Sequence, residues 1–107
     1  METTKLLSIY ISESAKYKLR PFYEAVIYAA KRSNLSEAMV LRGIMSYKSG
    51  HIHTSSLFAL AEDLPIKIEI IDSDENINTF TKIVKKMFQK AHIEGIITLQ
   101  EIQIEKF

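Results

Sequence analysis

The fold is decided between Ala38 and Asp72. The stretch opens as Ala38-Met39-Val40-Leu41-Arg42-Gly43-Ile44, passes through the polar turn Lys48-Ser49-Gly50-His51-Ile52-His53-Thr54, and returns as Glu62-Asp63-Leu64-Pro65-Ile66-Lys67-Ile68-Glu69-Ile70-Ile71-Asp72. Met39 to Tyr47 reads as one strand, with Val40, Arg42 and Ile44 on one face and Met39, Leu41, Gly43 and Met45 on the other. Pro65 opens a further strand with Ile66, Ile68 and Ile70 on a dry side and Lys67 and Glu69 on a wetter one. A charged group that leaves water must recover its lost solvation from a counter-charge, so Arg42 within an apolar strand requires an anion from the protein or from a ligand.

Working outward, Leu7, Ile9 and Ile11 alternate with Leu6, Ser8 and Tyr10, the two-residue period of a first strand. Pro21 suits the first turn of a helix, and Phe22, Ala25, Val26, Ala29 and Ala30 form its apolar stripe, with Asn34 as a stop. Leu57, Phe58 and Leu60 form a short apolar segment of undecided type. Asp72-Ser73-Asp74-Glu75 gathers capping oxygens and negative charge before a second helix, whose stripe is Ile77, Phe80, Val84, Met87, Phe88 and Ala91. Gly95 is expected to break that helix, and Ile96 to Leu99 and Ile102 to Ile104 to form closing strands. The order gives an α+β, ferredoxin-like domain spanning residues 1–107: βαββαβ with an extra C-terminal strand, an antiparallel sheet and both helices on one face. The other face, with Tyr10 and Ile71, is too apolar to be left in water, which predicts association of several chains through it.

Composition narrows the function. With 107 residues, 47% hydrophobic and 25% charged, the chain can bury a core without metal or disulfide. Its 14 Lys and Arg against 13 Asp and Glu disfavour general nucleic-acid binding. Zero cysteines exclude thiolate chemistry and cysteine zinc sites. No apolar run approaches the roughly 20 residues of a membrane span, which gives the expectation of a cytoplasmic protein.

Ser12-Glu13-Ser14, Arg20-Pro21-Phe22-Tyr23-Glu24-Ala25, Val40-Leu41-Arg42-Gly43-Ile44, Ile52-His53-Thr54, Glu62-Asp63-Leu64-Pro65 and Ile68-Glu69-Ile70 together resemble the uncharacterised PII-like family named domain of unknown function one-hundred-ninety, over nearly the whole chain. The third-strand run also looks like that of the PII nitrogen-signalling proteins. The resemblance implies a ferredoxin-like homotrimer that binds small molecules, in PII proteins adenine nucleotides, in clefts between subunits, with a long loop after the second strand signalling to a partner. Two departures stand out. Only about half a dozen residues separate Tyr47 from His53, so no long arm is expected there. The segment matching the phosphate-cradling loop, Ala91-His92-Ile93-Glu94-Gly95-Ile96, keeps one glycine and places Glu94 where a phosphate wants amides or a cation, so AMP or ADP is expected over ATP. Leu19 stands where a glycine is expected.

Several side chains are candidates. Arg42 offers a planar fork to a phosphate or carboxylate, or pairs structurally with a glutamate such as Glu69 or Glu62. Gly43 permits close approach of a ligand or backbone. Lys16, Lys18 and Arg20, ahead of the first helix, favour an anion or are solvated loop cations. His53 and Thr54, with Gly95, enter the ligand set through the resemblance. His51 and His53, two apart, are the alternative: a metal-binding trimer of the copper-tolerance type, although two histidines fall short of a closed zinc site. Glu13, Glu24, Glu62 and Asp63 could supply acid or base groups, and the pair Ser55-Ser56 hydroxyls, but no nucleophile, base and oxyanion hole converge in the spacing, so an enzyme is not expected. No cofactor is required. The expected function is a PII-like regulatory homotrimer reporting an adenine nucleotide or similar anionic metabolite to a protein partner, with a ligand-free interaction module as the remaining alternative.

Overall fold

The structure, a computed structural model, describes residues 3–54 and 63–107. Four strands form the main sheet: β1 (Thr4–Ser12), β4 (Ala38–Arg42), β7 (Pro65–Ser73) and β8 (Ile96–Ile102), in the order β4-β7-β1-β8 and antiparallel throughout. Helices α1 (Phe22–Arg32) and α2 (Asp74–Ala91) cover one face of it. This is the ferredoxin-like plan expected from the alternation of patterns.

Each element follows from local chemistry. In β1 the side chains of Leu7, Ile9 and Ile11 are buried, and they lie directly across from Ile70, Ile68 and Ile66 of β7. These pairs share the helix side of the sheet. The stripe read for α1 is the set it buries: Phe22, Ala25, Val26, Ala29 and Ala30. Asn34 sits in the left-handed region (φ 58°) just beyond that helix, and the Leu35 amide donates to the Ala30 carbonyl to close it. In α2, Ser73 is the N-cap and its hydroxyl accepts from the Asn76 amide at 3.2 Å. The stripe Ile77, Phe80, Val84 and Met87 is buried as read, joined by Thr81, whose hydroxyl is satisfied by the Ile77 carbonyl at 2.7 Å. Full burial of each large apolar side chain contributes roughly 1.5–3 kcal/mol, so these stripes, rather than helix propensity, hold the helical layer in place.

Four expectations are corrected. The helix α2 ends at His92, which takes the left-handed conformation (φ 53°), three residues before Gly95. The two closing segments are one continuous strand, β8, and residues 103–107 follow it without strand pairing, because β1 offers partners for β8 only from Tyr10 back to Thr4. The polar connection before α1 carries two short paired strands, β2 (Lys16–Tyr17) and β3 (Arg20–Pro21).

The fourth correction concerns the arm. The second strand does not run to Tyr47. It stops at Arg42, because its partner β7 begins at Pro65: the Gly43 amide donates to the Pro65 carbonyl at 2.8 Å, the last bond between the two among the described residues. The chain then builds a separate hairpin from β5 (Met45–Lys48) and β6 (His51–Thr54). Ser49 (φ 52°) and Gly50 (φ 82°) turn it as a left-handed two-residue loop whose twist suits a hairpin. Ile44, Met45, Tyr47 and Ile52 are all 62–75% exposed, so the hairpin projects from the sheet rather than packing on it. A projecting hairpin is therefore present over residues 45–54. Leu57, Phe58, Leu60, Ser55, Ser56 and Glu62 lie outside the described residues.

Candidate ligand site at the hairpin base

At the end of the sheet from which the hairpin leaves, the C-terminal end of β1 meets the entry into β7 in a polar knot. The Ser12 hydroxyl bonds to the Asp63 carboxylate, the Ser14 hydroxyl donates to its other oxygen at 3.0 Å, and the Ser14 amide donates to Asp63 Oδ1 at 3.1 Å. The Glu13 amide donates to the Leu64 carbonyl at 2.9 Å. These bonds aim the Glu13 side chain at β4, where Arg42 Nε donates to Glu13 Oε2 at 3.1 Å and Nη2 lies 3.1 Å from the same oxygen in an ion pair.

Arg42 is thus partnered by Glu13. Glu69 is engaged elsewhere, with Lys67 Nζ at 3.1 Å, and Glu62 is outside the described residues. Nor is Arg42 buried in its strand: its side chain is 55% exposed, because the register places it at the last pair of β4, opposite Ile66, where the long stem carries the guanidinium past the sheet end. A half-exposed pair of this kind is worth only about 0.2–1 kcal/mol, so an incoming anion can displace Glu13 from the fork at little cost.

The remaining predicted residues divide. Gly43 is next to Arg42, and a Cβ there would stand 2.7 Å from Pro65 Cγ; its small size serves the approach of β7. Gly95 precedes β8 at the same end of the sheet, but on the opposite edge, where a Cβ would stand 2.5 Å from the Phe88 ring and 2.8 Å from the Tyr10 carbonyl oxygen. With strands spaced ~4.8 Å apart, three spacings place the ends of β4 and β8 about 14 Å from one another. His53 and Thr54 belong to β6, across from Ser46 and Met45, and His51 is paired with Lys48 near the hairpin tip. Among the described residues, no group of three or more His, Cys, Asp or Glu comes together to hold a metal.

Lys16, Lys18 and Arg20 do not join Arg42. They sit on the β2–β3 hairpin against the helices, with Lys18 Nζ 5.6 Å from the centre of the Tyr17 ring and the Arg20 guanidinium 4.8 Å from that of Tyr28. Sequence reading missed the Ser12–Ser14–Asp63 knot. The Ser-Glu-Ser run at the end of an apolar strand was the available signal, but its acceptor is 49 residues away from Ser14.

On the sheet face turned away from the helices, Tyr10, Met39, Leu41, Ile71 and Ile96 remain 37–61% exposed. Lys67 crosses this face, its ammonium held protonated above its ordinary range by hydrogen bonds to Glu69 and then Tyr10. At the N-terminus of α2, partial burial pushes the Asp72 carboxyl up, but bonds from the Ser36 amide, Asn76 side chain and Ser73 amide outweigh it and hold the group below the usual carboxylate range. Among the described residues no helix is long and apolar enough to cross a membrane.

The ferredoxin-like sheet, with both helices on one face and a hairpin after its second main strand, is the fold seen in PII-like proteins. Residues 4–104 match the family described as "Uncharacterized ACR, COG1993", domain of unknown function 190, and the chain belongs to it. It is 36% identical over 101 residues to a UPF0166 protein of Aquifex aeolicus, covering 94% of this chain and 91% of that one. It is 29% identical over 106 residues to a UPF0166 protein of Methanocaldococcus jannaschii, covering 99% and 95%. Among solved structures it resembles CPII, a nitrogen regulatory PII-like protein from Thiomonas intermedia bound to ADP, AMP and bicarbonate, with TM-score 0.69, 16% identity and 97% and 90% of the two chains covered. It also resembles CutA from Synechococcus elongatus, with TM-score 0.63, 11% identity and 95% and 82% covered. At these identities the likeness to CPII and CutA is one of fold.

Proposed function

We propose that this chain is a PII-like regulatory protein that binds a small anionic metabolite, an adenine nucleotide with one or two phosphates, in clefts between the subunits of a homotrimer. The observation that carries the reading is Arg42: an accessible guanidinium at the base of the projecting hairpin, held in place by one displaceable carboxylate. Arg42 and Gly95 lie on opposite edge strands, so a ligand touching both ends of the sheet sits where one copy's β4 edge meets another's β8 edge. The exposed apolar sheet face supplies the reason for copies to associate. A phosphate on Arg42 frees Glu13 and changes the anchoring of the hairpin base, which is how binding is reported to a partner; the shift is driven by the ligand's preference for one arrangement over the other. The CPII structure, whose bound molecules are ADP, AMP and bicarbonate, supports this choice of ligand class. Glu94, exposed beside Gly95, argues for few phosphates.

The test is titration calorimetry with AMP, ADP, ATP and cyclic AMP on material whose mass in solution is measured by light scattering. Binding of AMP or ADP to a trimer supports the reading. A monomer at micromolar concentration, or no heat with any nucleotide, overturns it.

A further inference from the structure

The near-neutral net charge hides a segregation. Residues 16–32 and 76–93 carry nine of the 14 Lys and Arg against a single acid, Glu24. These segments are the β2–β3 hairpin, α1 and α2 beyond its acidic first turn of Asp74 and Glu75, in the layer that covers the sheet. Lys31, Arg32, Lys82, Lys85, Lys86 and Lys90 are exposed there and meet no carboxylate among the described residues. Between the hairpin and the two helices lies an open groove of about 620 Å³. Its floor is apolar, made by Ala25 and Ala29 of α1 and Ile83 and Met87 of α2, and its rim carries Lys18, Arg20 and Arg32. Lys86 and Lys90 stand three and seven residues from Ile83, on the same stripe of α2, and extend the positive rim. Leu19, fully exposed at the hairpin tip, adds an apolar lip.

We propose that this groove docks an acidic amphipathic segment of a partner protein, with its apolar side chains on the alanine, isoleucine and methionine floor and its carboxylates on Arg20, Arg32 and the lysines of α2. The groove's lining includes neither Arg42 nor a residue of the main sheet, so the inference is independent of the nucleotide reading. Charge complementarity selects the occupant's sign: the rim is cationic, with Arg20 alone meeting a carboxylate, that of Glu24 at 3.9 Å across an exposed pair, and so favours association with carboxylates and disfavours basic segments. Shape selects its kind. A concave cleft with small alanines in its floor admits side chains from a helix or extended segment, whereas a bilayer surface is flat and a phosphate backbone has nothing to place on an apolar floor. Tyr17 and Tyr28, the rings that could stack on bases, are each covered by a cation of the hairpin.

The test uses the full chain as bait for a random dodecapeptide phage library. The expected result is enrichment of peptides rich in Asp and Glu with apolar residues three or four apart. Synthetic versions of those peptides should bind about tenfold more weakly to Arg32→Glu, by charge reversal on the rim, and to Ile83→Ser, by loss of floor contact, and should weaken as salt rises. Both positions are solvent-accessible, and circular dichroism with an unchanged melting temperature establishes that the variants fold. Failure to enrich acidic peptides, or equal affinity for wild type and both variants, overturns the proposal. So does stronger binding to vesicles of anionic phosphatidylglycerol that is lost in Leu19→Ser, or to a single-stranded RNA oligonucleotide.

Discussion

Replacing Gly95 by alanine adds one methyl group at a position where the structure has no room for it. The new Cβ would lie 2.5 and 2.7 Å from Phe88 Cε1 and Cζ and 2.8 Å from the carbonyl oxygen of Tyr10. The Phe88 ring could turn, but it packs on Phe22 with centroids 4.9 Å apart, and turning it opens that contact. The Tyr10 carbonyl cannot yield alone, because Tyr10 is tied on both sides, to Lys67 of β7 and Ile96 of β8. The start of β8 must therefore move. Overpacking by one methyl in a well-packed site costs about 1–3 kcal/mol. At roughly 4–8 °C per kcal/mol for a domain near this size, Tm should fall by at least about 4 °C. Calorimetric melting of wild type, Gly95→Ala and Gly43→Ala provides the assay. Gly43→Ala meets mainly the Pro65 ring, whose pucker can give way, and should cost less. If Gly95→Ala melts within about 1 °C of wild type, the packing account of this glycine is wrong and its smallness serves something else, such as a bound ligand.

Other outcomes follow from the same geometry. Glu13→Gln releases Arg42 from its carboxylate and should tighten AMP binding by about two- to fivefold, the equivalent of a half-exposed ion pair, whereas Arg42→Gln should weaken it tenfold or more; calorimetry showing neither change removes Arg42 from the site. Asp72→Asn should cost about 1 kcal/mol at neutral pH by weakening the bonds from Ser36, Ser73 and Asn76. Because the folded state lowers the Asp72 pKa, its contribution is fully present above the ordinary value of 3.8 and is lost as pH falls through the folded value, so denaturant midpoints of variant and wild type should converge in acid. Lys67 behaves oppositely: its folded pKa is raised, so its contribution holds up to pH 10.5 and is lost as pH rises through the folded value, and Glu69→Gln should move the Lys67 titration, followed by NMR, to lower pH.

The order of elements, the two helical stripes and the dry face of β7 were legible in the chain because they are periodic: apolar spacing of two or of three to four residues states which side faces a core, without reference to any distant residue. The five residues that α1 buries could be named from spacing alone. Arg42 does meet an anion, but not because burial demands one: it is half exposed at the strand end, which its place in an apolar run did not reveal. Nor was its partner legible. Glu13 is 29 residues away, and only the pairing of β1 and β4 on either side of β7 brings the two together. The end of β4 likewise depends on where β7 begins, so the hairpin over residues 45–54 could not be seen in a pattern that resumes with Ile44 and Met45 directly after Arg42-Gly43. The basic groove belongs to the same category. Its cations are spread over two segments more than forty residues apart, and the fold brings the β2–β3 hairpin, α1 and α2 together around one groove. Periodicity is a property of the chain, whereas register, strand ends and shared surfaces are properties of contacts between distant parts of it.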